Sequence, residues 1–410
     1  MARPRRNTAE KFETLSDLLT KAERKPKEAP QELKINGLPE GRWIARGVFR
    51  MEREFRYGEP YGRWPLESPC ESGNFLRPWG GDPSPVFIDT ETTGLSGGTG
   101  TYAFLVGLGL CGQESLRVIQ LFLAGPGWER SWLDALEAEL PESYGLVTYN
   151  GRAFDLPLLR TRYILARAVP SWNGAPHMDL LSISRSFYKG RLASCSLSSI
   201  EKNVLGLHRS GVDVPGRLIP QIYAQYLHTH DASPLRGIFY HNALDIVSLA
   251  AFQVHAAEML NGECSCAADM VRAGDLWAAK GDGRRAREVW QRALDFNRGR
   301  EAALLRLADA EKDAGNYEAA YRFYEESLET ERRPVRTLET MAKIEEHKFH
   351  RCADALEHAS EALRWLENRR IFRDRRWDEE RHSLLHRIER LKRKLAAQEG
   401  RNGPPSADVV

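Results

Sequence analysis

Three short stretches carry residues whose types and spacing could do chemistry: FIDTETTGL (Phe87–Leu95), YNGRAFDLPLL (Tyr149–Leu159) and FYHNALDIVSL (Phe239–Leu249). In the first, Asp89 and Glu91 stand two apart at the end of an apolar run. If that run is a strand, both side chains point the same way, because strand side chains alternate. Two neighbouring carboxylates repel unless a cation neutralises them, and hard oxygen donors at that density suit Mg²⁺ or Mn²⁺ better than zinc. A bare D-x-E is commonly just a solvated strand end, so the other stretches decide. The second passes from Asn150 through a glycine into helical text with Asp155 in or near its first turn, where an acid is also a routine partner of the helix dipole. The third sets Asp245 among Ala243, Leu244, Ile246, Val247, Leu249 and Ala250, the spacing of a buried helix. A carboxylate there is costly unless it is paired or bound to a metal. Two rings able to move a proton, Tyr240 and His241, precede it.

The elements that must position these residues follow from hydrophobic patterning. Val86–Asp89 reads as a strand, as do TYAFLVGLGLC and SLRVIQLFL, which are of strand length and rich in β-branched or apolar residues. ERSWLDALEAELP reads as a helix, YGLVTYN as a strand and FDLPLLRTRYILARA as a helix, with mainly helical text to about Gln253. The pattern predicts an α/β fold, a mixed sheet flanked by helices. Beyond Cys266 no strand signal remains. KGDGRRAREVWQRAL and AGNYEAAYRFYEESL match at an offset of 34 residues, pairing Gly281 with Gly315, Ala286 with Ala320, Trp290 with Tyr324 and Leu294 with Leu328. A weaker third copy ends at Leu363. This helical repeat resembles tetratricopeptide repeats, in which stacked helix pairs share a core and present a groove to protein partners. The expected organisation is a flexible charged arm over 1–34, a Gly/Pro/aromatic-rich lead-in over 35–82 and the sheet domain over 83–258. Helical repeats over 267–365, a basic amphipathic capping helix over 366–398 and a disordered tail over 399–410 complete it.

The order D-x-E, then N-x(4)-D, then a ring residue and D resembles the DEDD exonuclease superfamily, ribonuclease-H-like proteins that hydrolyse nucleic acid from its 3′ end. HMDLLSISRSFYKGRLASCSLSSIEKNVLGLHR, DVPG and YHNALDIVSLA bring it closer to the YprB-like ribonuclease-H-like group. The resemblance covers roughly Pro85 to Val254 and implies a metal-dependent 3′-to-5′ exonuclease with two divalent ions, Mg²⁺ or Mn²⁺. It implies that Asp89 bridges both ions, that Glu91 and Asp245 complete the first site and that Asp155 holds the second through water. Thr92, Thr93, Gly94 and Leu95 match the part of the first motif that touches the terminal nucleotide in relatives, and Asn150 and Phe154 match the border of the substrate groove. Asp179, in HMDLL, is expected to be structural or to support the site. The third motif of the superfamily has a tyrosine four residues before its aspartate or a histidine five before it; here His241 is at minus four and Tyr240 at minus five. At about 100° per residue, minus four lies about 40° from Asp245 and minus five about 140° away, which favours His241 as the residue assisting the water. An imidazole near neutral pKa can orient or deprotonate water, where a phenol near 10 mainly orients it. Tyr240 is then expected to pack or to bind substrate. If Asn242 capped the helix, both rings would sit in non-helical backbone and the angular argument would lose force.

Composition narrows the partners. The formal net charge is only +2 with 28% charged residues, which implies neither a strongly basic coat nor an acidic disordered chain. Six scattered cysteines without paired zinc-ligand spacing read as reduced thiols in a cytoplasmic protein. No apolar run is expected to span a membrane, and the first residues lack an apolar leader segment. The expected partners are single-stranded or 3′-ended nucleic acid and a protein bound by the repeats. A nucleic-acid-binding or scaffold protein without hydrolysis, or a related endonuclease, are the rival readings. SGGTG (Ser96–Gly100) lacks the Gly-Lys-Ser/Thr of a phosphate loop and reads as a turn. His177 and His208 read as satisfied polar side chains, and Arg185, Lys189, Arg191 and Lys202 could contact a phosphate backbone. The basic tail (RRIFRDRR, RLKRK) carries Asp374, Asp378, Glu379 and Glu380 among its cations, which favours ordinary pairing on a helix surface.

Overall fold

The computed structural model describes residues 33, 35–70, 84–94, 100–209, 214–296, 298–330, 334–368 and 375–402. The expected N-terminal arm (apart from Leu33), Leu95 and most of the SGGTG run lie outside the described residues. The chain divides into two compact units between Val254 and His255.

In the first unit, strands β1 (Arg42–Ala45), β2 (Val48–Arg56), β5 (Ser84–Thr92), β6 (Ala103–Cys111), β7 (Ser115–Leu123), β8 (Tyr144–Thr148) and β9 (His177–Asp179) form one mixed sheet in the order β1-β2-β7-β6-β5-β8-β9. The short hairpin β3 (Pro60–Tyr61) and β4 (Trp64–Pro65) stands apart from it. β5 lies antiparallel to β6 and parallel to β8. β5 to β8 form where the apolar runs predict strands. The lead-in extends the same sheet through β1 and β2, and the three-residue β9 is too short to leave a periodic signal.

Helices α1 (Glu129–Glu139), α2 (Asp155–Leu165), α3 (Leu180–Tyr188), α4 (Leu197–Ile200), α5 (Ile219–Thr229) and α6 (Arg236–Leu260) cover the two faces. Strand alternation shows which face each takes. Arg50 of β2 bonds Glu139 of α1 at 2.6 Å, so α1 lies on the Arg50 face. One rung runs Met51–Gln120–Gly107–Asp89 across β2, β7, β6 and β5, and its side chains point the other way. That second face is covered by α5 and α6, whose Tyr223, Tyr226 and Phe239 rings pack around Phe122. Buried polar tips on both faces end on backbone carbonyls: Tyr223 and Tyr226 of α5 donate to Leu123 and Ala124, and Trp132 of α1 donates to Leu121. Each aromatic thus buries a large apolar body without stranding its donor.

The segment Ser233–Leu260 is long and apolar enough to cross a membrane by length and composition, contrary to the sequence expectation, but 72% of its most apolar window is buried inside the fold. Its composition is that of a helix packed on a sheet.

In the second unit, α7 (Ala267–Ala279), α8 (Gly283–Arg292), α9 (Glu301–Asp313), α10 (Tyr317–Leu328), α11 (Val335–Ile344), α12 (Cys352–Glu367) and α13 (Arg375–Asn402) follow one another. The repeat seen in sequence is a repeat of environment. Gly281 and Gly315 both take φ near +84°, and Ala286, Ala320, Trp290 and Tyr324 are all buried. The third copy is faint because it carries one extra residue. A wide helical turn over Glu345–Phe349 absorbs it, so the left-handed position falls on His350 and the buried small residue on Ala355. Three cations of α13, Arg387, Arg390 and Lys394, converge on Glu346, whose carboxylate is fully buried and held down to a pKa of about 2; burial opposes that shift and the cations overcome it. Much of the basic face of α13 therefore balances a buried acid.

Candidate metal centre

Asp89 and Glu91 sit near the end of β5 on the face covered by α6, as their spacing of two requires. Asp155 arrives from the other side: β8, paired with β5, turns at Asn150 and Gly151 and enters α2 at Asp155 itself. Asn150 takes the left-handed conformation (φ 66°), and Asp179 fixes this turn by accepting the amides of Asn150 at 2.8 Å and Arg152 at 3.2 Å while also capping α3 through Leu181. Asp179 is therefore a structural clamp on the loop that delivers Asp155. Thr90, whose side chain alternates away from Asp89 and Glu91, donates to Asp155 at 2.5 Å.

Asp245 comes from α6. Since α6 begins at Arg236, Tyr240, His241 and Asn242 all lie within it, and Asn242 is not a cap. His241 Nε2 lies 3.5 Å from Asp245 Oδ2, the one-turn neighbour that helical spacing demands. Tyr240 is half-buried on the same helix. Glu91, His241 and Asp245 each offer a ligand atom within 4.8 Å of the others.

The carboxylates oppose one another. Burial pushes the Asp89 carboxyl well above the usual range, and the charges of Asp245 and Asp155 push it further. Glu91 is raised well above its ordinary value by burial and then by Asp89, Asp245 and Asp155. Burial lifts Asp155 to about 6 against the Thr90 hydrogen bond. A divalent cation relieves both the desolvation and the repulsion, and four oxygen donors of this hardness fit Mg²⁺ or Mn²⁺.

Asn242, which the sequence offered only as a possible helix cap, has a different task. Gln120 donates to the Phe239 carbonyl at 2.9 Å and to Asn242 Oδ1 at 2.8 Å, which turns the Asn242 amide to donate to Asp89 Oδ2 at 2.9 Å. Asn242 thus bridges Gln120 and Asp89 above Gly107, which lies between them on the rung. A Cβ at Gly107 would stand 2.4 Å from Asn242 Oδ1 and 3.0 Å from Ile246. Gly107→Ala is therefore expected to push Asn242 off Asp89 and cost about 1–3 kcal/mol, the range for overpacking. Urea unfolding measures this; a loss below about 0.5 kcal/mol would mean that α6 can lift away almost freely.

Arg209 also escaped sequence reasoning, which weighed its neighbour His208 instead; His208 is exposed. Arg209 forks onto Glu201 through Nε (2.9 Å) and Nη2 (2.5 Å), bonds Asp245 Oδ1 through Nη2 and approaches His241 Nδ1 through Nη1 at 3.0 Å. Guanidinium has no acceptor, so His241 Nδ1 must accept and the ring proton sits on Nε2. In this arrangement the imidazole is a donor toward Asp245 and offers no lone pair to a cation. Glu201 is 2% exposed, at the start of a wide helical turn (Glu201–Leu205), and its other partner is Ser248. Since the Ser248 hydroxyl proton goes to Glu201, Tyr61 donates to Ser248 at 2.7 Å. Hairpin β3–β4 of the lead-in thereby supports the Glu201–Arg209 pair. A glutamate between Ile200 and the apolar Val204 and Leu205 was the signal available in sequence.

Of the residues proposed to meet nucleic acid, Thr92 is turned onto the Gly94 carbonyl at 2.7 Å and Thr93 pairs with Tyr102 through its amide at 3.0 Å. Both are held in place at the end of β5. Asn150 is exposed and Phe154 partly so, next to Asp155.

Residues 86–257 match the family described as the RNase_H superfamily. The chain is also similar to Uncharacterized protein YprB of Bacillus subtilis (strain 168), 30% identical over 284 residues that make up 68% of each chain. Residues 86–257 contain all four carboxylates together with Gln120, Glu201, Arg209 and Asn242, and the chain belongs to the RNase H superfamily.

Proposed function

We propose that this protein is a divalent-metal-dependent 3′-to-5′ exonuclease of the DEDD kind, with a tetratricopeptide-like helical region that holds a protein partner. Members of the RNase H superfamily are typically nucleases that use divalent ions on nucleic acid. The observation carrying the finer reading is the gathering of Asp89, Glu91, Asp155 and Asp245 from three separate motifs around the end of β5. Mg²⁺ or Mn²⁺, when bound, would supply an acidified water and charge stabilisation for in-line attack on phosphorus. Asp89, Glu91, Asp155 and Asp245 would hold the ions, and Asn242 would fix Asp89. His241, with its proton on Nε2, would orient the water or a phosphate oxygen as a donor. Thr92, Thr93, Gly94 and Leu95 would border the terminal nucleotide, and Asn150, Phe154 and Tyr240 would line the strand's approach.

The Arg209–Asp245 contact favours the second reading, a nucleic-acid-binding fold that does not hydrolyse, because it occupies one oxygen of a required ligand. One experiment separates the two. Wild type and Asp89→Ala are given end-labelled single-stranded DNA and RNA with Mg²⁺ or Mn²⁺. Stepwise shortening from the 3′ end by wild type, reduced about 10³-fold in the variant, is the expected result. Binding by both with cutting by neither would move the assignment to the non-hydrolytic reading, and internal cuts to an endonuclease. In the same assay His241→Ala is expected to lose activity and Tyr240→Phe to keep it; the reverse pattern would exchange their roles.

A further inference from the structure

A concave pocket of about 740 Å³ lies beside the turn that delivers Asp155, lined by Tyr149, Asn150, Arg185, Lys189, Ser194 and Ser196 among others. We propose that it is a subsite for the nucleic-acid strand, taking the phosphate and nucleoside of a single-stranded unit upstream of the one released. This rests on the nuclease reading above.

Charge is the first argument. Arg185 and Lys189 stand one turn apart at the end of α3, the Lys189 amide bonding the Arg185 carbonyl at 3.1 Å, and both are exposed. No carboxylate lines the pocket, and among the described residues neither cation forms an ion pair. Several arginines elsewhere in this unit are matched, Arg50 with Glu139, Arg130 with Asp134 and Arg162 with Glu129. The helix dipole favours cations at this end by about 0.3–1 kcal/mol each, but it does not explain a hollow between them walled by hydroxyls.

Continuity is the second. Asn150 accepts the amides of Ala153 and Phe154 at 3.1 and 3.2 Å, so one wall runs directly into Asp155. Ser196 caps α4 by accepting the Ser199 amide, and α4 runs into Glu201, the anchor of Arg209. Both walls therefore lead to the carboxylates. Size is the third: the volume lies within the roughly 300–1,000 Å³ of small-molecule sites, enough for a nucleotide unit and too small for a duplex. Leu181 and Leu192 supply apolar surface for a base or sugar, while the Tyr149 hydroxyl is already committed to Ser184 and the Cys195 carbonyl.

The test uses the full chain and fluorescent oligothymidylate or oligouridylate, with binding followed by anisotropy over a range of salt in Ca²⁺ and cleavage followed in Mg²⁺. Arg185→Gln/Lys189→Gln is compared with wild type and with Arg130→Gln, an exposed arginine paired with Asp134 one turn along α1 and outside the pocket lining. A single-strand phosphate contact contributes about 0.7 to the slope of log affinity against log salt. The double variant is expected to lose about 1.4 from that slope and to raise KM about tenfold with kcat within about twofold, which a misfolded site could not do. Arg130→Gln is expected to match wild type. If wild type binds and cuts while the double variant equals it in slope and KM, the subsite is wrong and the nuclease reading stands. If wild type binds neither polymer, both fall.

Discussion

Arg209→Ala is expected to cost about 3–5 kcal/mol of folding stability, the range for removing one partner of a buried ion pair, and to do so even with Mg²⁺ or Mn²⁺ at saturation. Arg209 serves two acids with different fates. Asp245 could exchange it for a divalent cation. Glu201, 2% exposed, could not, since Ser248 is its only other described partner and supplies one neutral hydrogen bond. Burial already raises the Glu201 carboxyl above its ordinary value, with Arg209 partly offsetting it. Arg209 itself is held charged: burial works against it, and Asp245 and Glu201 outweigh burial. Urea unfolding of Arg209→Ala, Glu201→Gln and the double variant checks the cause. The double variant should be more stable than Arg209→Ala alone, because a neutral amide replaces the orphaned charge. Simple additivity would mean that the pair is not the source of the loss.

Stripping divalent cations with EDTA is expected to lower the melting temperature more at pH 8 than at pH 5. Asp89, Glu91 and Asp155 all have folded pKa values above those of the unfolded chain. Without a cation, the folded protein keeps protons that the unfolded chain releases near pH 4. The unfolded state then binds fewer protons, so stability falls as pH rises from about 4 through the folded values and levels off above them. For Asp155, lifted to about 6, the change amounts to roughly 3 kcal/mol. Bound Mg²⁺ or Mn²⁺ should flatten that slope. Asp89→Asn, with one charge fewer, should show a smaller EDTA effect at pH 8. An EDTA effect independent of pH would show that the carboxylates are not what the cation relieves.

The carboxylate-bearing face of the sheet was legible in the sequence because its signals are local. A spacing of two places Asp89 with Glu91, and a spacing of four places His241 with Asp245; both hold in three dimensions. The residues that keep those groups in place were not legible, since their partners are distant in the chain. Gln120, Gly107 and Asp89 meet through strand pairing and Asn242 joins them through the packing of α6 on the sheet, while Glu201 meets Tyr61 through Ser248. The lead-in carried no readable function for the same reason. Its aromatic and glycine content predicts small strands, but not that β2 would pair with β7 or that Tyr61 would buttress a buried ion pair. The third helical repeat was faint because a one-residue insertion shifts its register by one, and a wide turn hides the shift from any fixed-offset comparison.

The rung through Met51, Gln120, Gly107 and Asp89 makes the site a witness to its own assembly. A slip of β6 by one residue would bring Val106 or Leu108 beneath Asn242 in place of Gly107, and either side chain would meet the amide that steadies Asp89. A slip of β7 would remove Gln120 and leave that amide unaligned. Compact but misregistered chains would keep every acidic residue and still lack an ordered Asp89, so the proposed activity, followed in a refolding experiment, would count only molecules whose strands have found their proper partners.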